Sequence, residues 1–118
     1  MSAGNLWTEE DASAIMSEIK ATRTVTVTND EGVHLRAATL IAELARGSQS
    51  DVVLVKNNER APGSEVLQIV SLGTGPGDTL ALEATGIDAE QVVDAIVQLF
   101  ADNFGEGKEN TEQAENQA

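Results

Sequence analysis

Apolar positions along the 118-residue chain change period several times, and each change marks the edge of an expected element. In TEEDASAIMSEIK, residues 8–20, Ala12, Ile15, Met16 and Ile19 recur at helical spacing and make one stripe. Thr8 can cap that helix, with Asp11 three residues on, where Glu or Gln is usual. Such a helix either packs on its own domain or docks a partner. RTVTVTND then alternates, so Val25 and Val27 face one side of a half-buried strand. Beyond the loop NDEG the helical period returns: Ala37, Leu40, Ile41 and Leu44 share a face, Arg46 lies near the negative helix end and Gly47 is the expected stop. DVVLVK is a second strand. Asn57-Asn58 suits a two-residue hairpin turn, because Asn tolerates positive φ, and ERA opens a short third strand that Pro62-Gly63 ends. SEVLQIVSLG predicts a short helix with Ser64 as N-cap and Gly73 as stop. Leu80, Leu82 and Ala84 alternate through a fourth strand. Asp88 caps a last helix with Gln91 at its N3 position; Val92, Ile96, Leu99 and Phe100 form the inner face and Gly105 closes it.

The expected order is β-α-β-β-α-β-α after the N-terminal helix. In fold class this is α+β: a four-stranded, mostly antiparallel sheet with three helices on one face, an arrangement that buries both kinds of stripe. Residues 1–22 are expected to be an extension, 23–105 one domain, and 106–118, the polar, acidic EGKENTEQAENQA without periodicity, a disordered tail.

Composition narrows the chemistry. Aromatics make up only 3% of residues, so the core must be aliphatic. The absence of cysteine removes disulfides, thiolate zinc sites, iron–sulfur clusters and thiol nucleophiles. With a single histidine besides, no metal and no cofactor is expected. A net charge of −13 argues against nucleic acid and anionic membrane as partners. No apolar run has transmembrane length and the first residues lack the pattern of a signal peptide, so a cytoplasmic location without membrane insertion is expected. GTGPGD lacks the Lys-Ser/Thr and the strand-to-helix setting of a P-loop, and NDE lacks the spacing of a calcium loop.

The one histidine stands in GVHLRAA, where a helix is expected to begin at Leu35. First-turn amides have no intrahelical partner and the helix dipole is positive there, so the backbone of Leu35 and Arg36 suits an anion. The same end disfavours imidazolium, which leaves a neutral, nucleophilic ring at His34. Arg36 adds a forked cation able to hold phosphate oxygens. A lone histidine at a helix start is, by itself, more often a cap or a surface residue.

Gly32, Val33, His34, Arg36 and Ala38 also match the active-site signature of HPr, the histidine-containing phosphocarrier family of the bacterial sugar phosphotransferase system. The resemblance runs from Arg23 to Gly105, through SDVVLVKNNE, VLQIVSLGTGPGDTLALEATG and DAEQVVDAIVQLF. It implies an open-faced β-sandwich and a monomer. It further implies that His34 Nδ1 accepts a phosphoryl group from phosphorylated enzyme I, steadied by Arg36 and the amides of the helix start, and passes it to an enzyme IIA-type acceptor. Docking would use Glu65, Val66, Leu67 and Val70.

Two positions depart from the family. Ala37 replaces a proline in the first turn, where alanine also supports a helix; the expected result is a slightly less rigid, active site. Glu65 stands at the position of the family's regulatory serine, so kinase control through a hydroxyl there is not expected. Its carboxylate either only complements the helix dipole or partly mimics a phosphoserine and alters docking. The alternative function is therefore a regulatory module of the same fold that docks to a kinase, a transcription factor or a metabolic enzyme.

Overall fold

The computed structural model describes residues 19–106. Four strands form one sheet: β1 (Lys20–Thr26), β2 (Ser50–Lys56), β3 (Glu59–Pro62) and β4 (Thr79–Gly86), in the spatial order β1-β4-β2-β3. Every pairing is antiparallel, with Val25 opposite Leu80, Leu54 opposite Leu82, and Leu54 opposite Ala61. Among the described residues three helices accompany the sheet: α1 (Leu35–Gly47), α2 (Val66–Ser71) and α3 (Ala89–Ala101). A short 3-10 turn, Asn103–Gly105, follows α3.

The period-two pattern sorts the two sheet faces. Ala21, Val25, Val52, Leu54, Ala61, Leu80, Leu82 and Ala84 are buried, and with Ile41 of α1, Ile69 of α2 and Val93 and Ile96 of α3 they make one aliphatic core. On the other face Thr22, Thr24 and Thr26 are exposed, and Arg60 reaches Glu83 at 2.8 Å. The alternation that buries one side of each strand leaves the other side open.

Several boundaries differ from the sequence expectations. β1 begins at Lys20, so residues 20–22 belong to the sheet rather than to the extension. The rest of the expected helix over 8–20 lies outside the described residues, as do 107–118 of the expected tail. Gly47 is the last residue of α1 and needs no left-handed conformation: the Ser48 amide and hydroxyl both donate to the Ala45 carbonyl, at 3.2 and 2.8 Å. Glu65, not Ser64, is the N-cap of α2, and its side chain makes no capping bond. The hairpin expectation holds, with Asn57 at φ 56°. Gly73 ends α2 with φ 66°.

Asp88 sits at the N-cap of α3 but does not cap it. Its carboxylate instead accepts from the Ser50 hydroxyl at 2.5 Å and from the Gln49 amide at 2.9 Å, tying the start of α3 to the start of β2. The Ser50 hydroxyl, then the Gln49 amide, hold this carboxyl below its ordinary value of 3.8. A carboxyl lowered in the folded state stabilises the fold above its unfolded value and loses that contribution as pH falls through the folded one. Asp78 behaves in the same way, held down first by the Gly75 amide and then by Lys56. Asp88→Asn is expected to lower the melting temperature at neutral pH and to make the loss of stability below pH 3.8 shallower, as read from melting curves over an acid series.

Candidate active site

The site begins with a loop that must turn sharply. Gly32 has φ 67°, and a Cβ there would press into the Thr74 carbonyl and lie 2.9 Å from the Gly75 Cα. Glycine is what allows this approach. The Val33 amide bonds to the Thr74 carbonyl at 3.0 Å, and the buried Asn29 side-chain amide donates to the Gly32 carbonyl at 2.7 Å. The loop thus delivers His34 in extended conformation (φ −87°, ψ −173°) as the N-cap of α1.

His34 caps α1 through both its carbonyl and its ring. The carbonyl accepts from the Ala38 amide at 2.8 Å, and Nδ1 accepts from the Arg36 amide at 3.2 Å. An amide can only donate, so Nδ1 presents a lone pair; in the neutral ring the proton then sits on Nε2. Nε2 faces the Glu106 carboxylate in a hydrogen bond, with Glu31 Oε1 at 3.5 Å. The ring is a quarter exposed and stands beside the start of a 13-residue helix.

The turn after α3 closes over the far side of the ring. Asn103, Phe104 and Gly105 have φ 53°, 56° and 77°, three successive left-handed residues of which only one is glycine. Phe104 is buried and packs edge-on against Phe100, with centroids 4.8 Å apart. Thr28 Oγ1 donates to Asn103 Oδ1 at 2.6 Å, and Arg36 Nη1 donates to the Phe104 carbonyl at 2.9 Å. Glu106, the first residue of the expected tail, lies against the site. Nothing in the local sequence marks it, because its partner His34 is 72 residues away. The same holds for Asn29, which donates to Glu106 Oε1 at 3.2 Å.

Arg36 meets His34 through its backbone amide, while its guanidinium reaches the Phe104 carbonyl. Ala37 is fully buried in the first turn, where the missing proline removes no intrahelical hydrogen bond. Glu65 is exposed. Val66 and Val70 are half-buried against the core, and Leu67 is 72% exposed. Leu35, which sequence reasoning assigned only a backbone role, is also an exposed apolar side chain at the site. α1 and α2 pack on each other, and Arg46 Nε near the end of α1 donates to the Ser64 carbonyl at 2.9 Å.

Glu31, His34 and Glu106 also place three ligating atoms within 4.8 Å of one another. A metal on Nε2 would move the ring proton to Nδ1, directly against the Arg36 N–H. The donors are arranged for a proton on Nε2. At Nδ1 the arrangement offers a lone pair and the first amides of a helix, which together suit attack on an electrophile that carries negative oxygens. Among the described residues no helix is long and apolar enough to cross a membrane.

The family profile PTS-HPr, described as the PTS HPr component phosphorylation site, matches residues 21–102. Phosphocarrier protein HPr of Cupriavidus necator is 33% identical over 86 residues, which is 73% of this chain and 97% of that protein. Phosphocarrier protein NPr of Shewanella violacea is 38% identical over 87 residues, covering 74% of this chain and 96% of that protein. The crystal structure of HPr-C-His from Thermoanaerobacter tengcongensis superposes with a TM-score of 0.69 at 30% identity, over 72% of this chain and 96% of that one. With the fold, the signature at His34 and relatives matched over nearly their whole length in agreement, the chain belongs to the HPr family of phosphocarrier proteins of the phosphotransferase system.

Proposed function

We propose that His34 Nδ1 takes a phosphoryl group from phosphorylated enzyme I and passes it to an enzyme IIA-type acceptor. The observation that carries this reading is the Arg36 amide aimed at Nδ1, which leaves that nitrogen's lone pair at the helix start. On loading, the Nδ1–phosphorus bond forms as the donor's nitrogen–phosphorus bond breaks and that bond's electron pair returns to the donor ring. On unloading, the Nδ1–phosphorus bond breaks, its electron pair returns to His34, and the acceptor's nucleophile bonds phosphorus. The leaving and attacking atoms carry little of the charge; the three phosphoryl oxygens carry most of it, so positioning and electrostatics supply the catalysis. The amides of Leu35 and Arg36 receive those oxygens. Arg36, which in this structure reaches the neutral Phe104 carbonyl, gains a stronger charge-assisted pairing with the phosphoryl group. No cofactor takes part. The carrier acts as a cytoplasmic monomer whose domain spans roughly the described residues, between an N-terminal extension and an acidic tail.

Docking rests on Leu35 and Leu67, with Val66 and Val70 behind them and Glu65 at the edge. Because Leu67 is 72% exposed, Leu67→Ala is expected to leave the melting temperature nearly unchanged while raising the KM for enzyme I several-fold, as expected for an apolar anchor at an interface. Unchanged KM would remove α2 from the docking surface.

The test of the function is incubation with phosphoenolpyruvate and the source organism's enzyme I, followed by intact mass and phosphorus NMR. One acid-labile phosphoryl group on Nδ1 supports the carrier. No label from an enzyme I that phosphorylates itself would overturn it in favour of the regulatory docking module.

A further inference from the structure

We propose that Glu106 is a positioning residue for His34: its carboxylate holds the Nε2 proton, and so keeps the lone pair on Nδ1, and it balances the positive charge that the ring acquires when Nδ1 bonds phosphorus. This rests on the reading of His34 as phosphoryl acceptor.

Three independent features of the structure place the carboxylate there. Glu106 uses both oxygens, Oε2 on His34 Nε2 and Oε1 on the Asn29 amide, so its orientation is fixed from two sides. Asn29 is itself buried, and its Nδ2 also donates to the Gly32 carbonyl, so one side chain ties Glu106 to the loop that carries His34. The chain reaches Glu106 through the left-handed Asn103-Phe104-Gly105 turn, a conformation that asparagine and glycine tolerate but that a bulky Phe104 adopts only where the surroundings over-determine it. The buried Phe104 ring, the Asn103 bond to Thr28 and the Arg36 bond to the Phe104 carbonyl supply that constraint.

The two ring nitrogens divide the work. Nδ1 attacks with its lone pair, and the Nε2 proton stays on the ring throughout, so no proton has to leave for the transfer to proceed. As the Nδ1–phosphorus bond forms, one unit of positive charge spreads over the ring, and the donor's ring loses the same unit. The Glu106 carboxylate meets that charge across the Nε2 hydrogen bond, on the edge of the ring away from the phosphoryl oxygens. Glu31, 72% exposed and 3.5 Å from Nε2, lacks a comparable hold.

The measurement uses the full chain and two variants. Proton NMR of the native protein is expected to show a downfield His34 Nε2–H resonance protected from exchange with water. Glu106→Ala should lose this resonance and slow phosphorylation by enzyme I roughly ten- to hundredfold, the range for a hydrogen bond to a charged group. Glu106→Gln, whose side-chain oxygen still accepts, should keep a protected Nε2–H yet remain slower than native, separating charge from hydrogen bonding. Native resonance and native rate in Glu106→Ala would overturn the assignment, as would a fully native rate in Glu106→Gln for the role of charge. Failure of the acceptor reading is distinct: there the label would persist in His34→Ala whatever residue 106 is.

Discussion

His34→Ala is expected to abolish acid-labile phosphorylation by enzyme I and phosphoenolpyruvate, to the detection limit of intact mass measurement. The expectation is this absolute because no second nucleophile of the same kind exists: the chain has one histidine and no cysteine. Loss of transfer through unfolding would be a trivial explanation, and the structure argues against it. The His34 side chain supplies one capping bond to α1, and removing a cap costs about 1 kcal/mol. The core beneath, with Ala37, Ala38 and Ile41 fully buried, is untouched. The variant should therefore melt cooperatively a few degrees below the native protein and carry no label. A label that survives acid treatment but is released by hydroxylamine would place the phosphoryl group on a carboxylate, with Glu31 and Glu106 the first to replace.

Gly32→Ala should cause the largest loss of stability of any single methyl added at the site. At φ 67° a residue with a Cβ is strained by roughly 1–2 kcal/mol. The new methyl also meets backbone, the Thr74 carbonyl and the Gly75 Cα, which cannot retreat without breaking the Val33 to Thr74 bond. Strain and displacement together are expected to cost about 2–4 kcal/mol, against a typical total of about 5–15. Phosphorylation should fall as well in the fraction that folds, because the loop is what fixes His34 as N-cap. Gly75→Ala is the matched control: its Cβ would meet nothing within 4 Å and its φ is not positive, so its melting temperature should stay close to native. Equal stability of the two variants would mean that the Gly32 turn is not what holds the site.

The N-cap assignments show where local reading succeeds and where it stops. His34 was legible as N-cap because the helical stripe of α1 starts immediately after it, and both facts are local. Asp88 was equally well placed, yet its carboxylate serves Ser50 and Gln49 instead, since those donors lie at and just before the start of β2, which only the folded chain brings near. Ser64 and Glu65 exchanged roles for a similar reason: the turn that enters α2 is set by the Glu65 amide bonding to the Pro62 carbonyl at 3.1 Å, one residue later than the capping preference places it.

By itself the sequence determined the alternation that sorts β1, β2 and β4 into a buried and an open face, the hairpin at Asn57, and the pairing of His34 with Arg36 at a helix start. Each of these depends on residues within a few positions of one another, where period and turn chemistry act directly. Only the tertiary structure decided the strand order β1-β4-β2-β3, the close approach of Gly32 to Thr74, and the place of Glu106 on His34. Those contacts join positions far apart in the chain, and their partners are chosen by how the aliphatic core packs, not by any pattern that neighbouring residues carry.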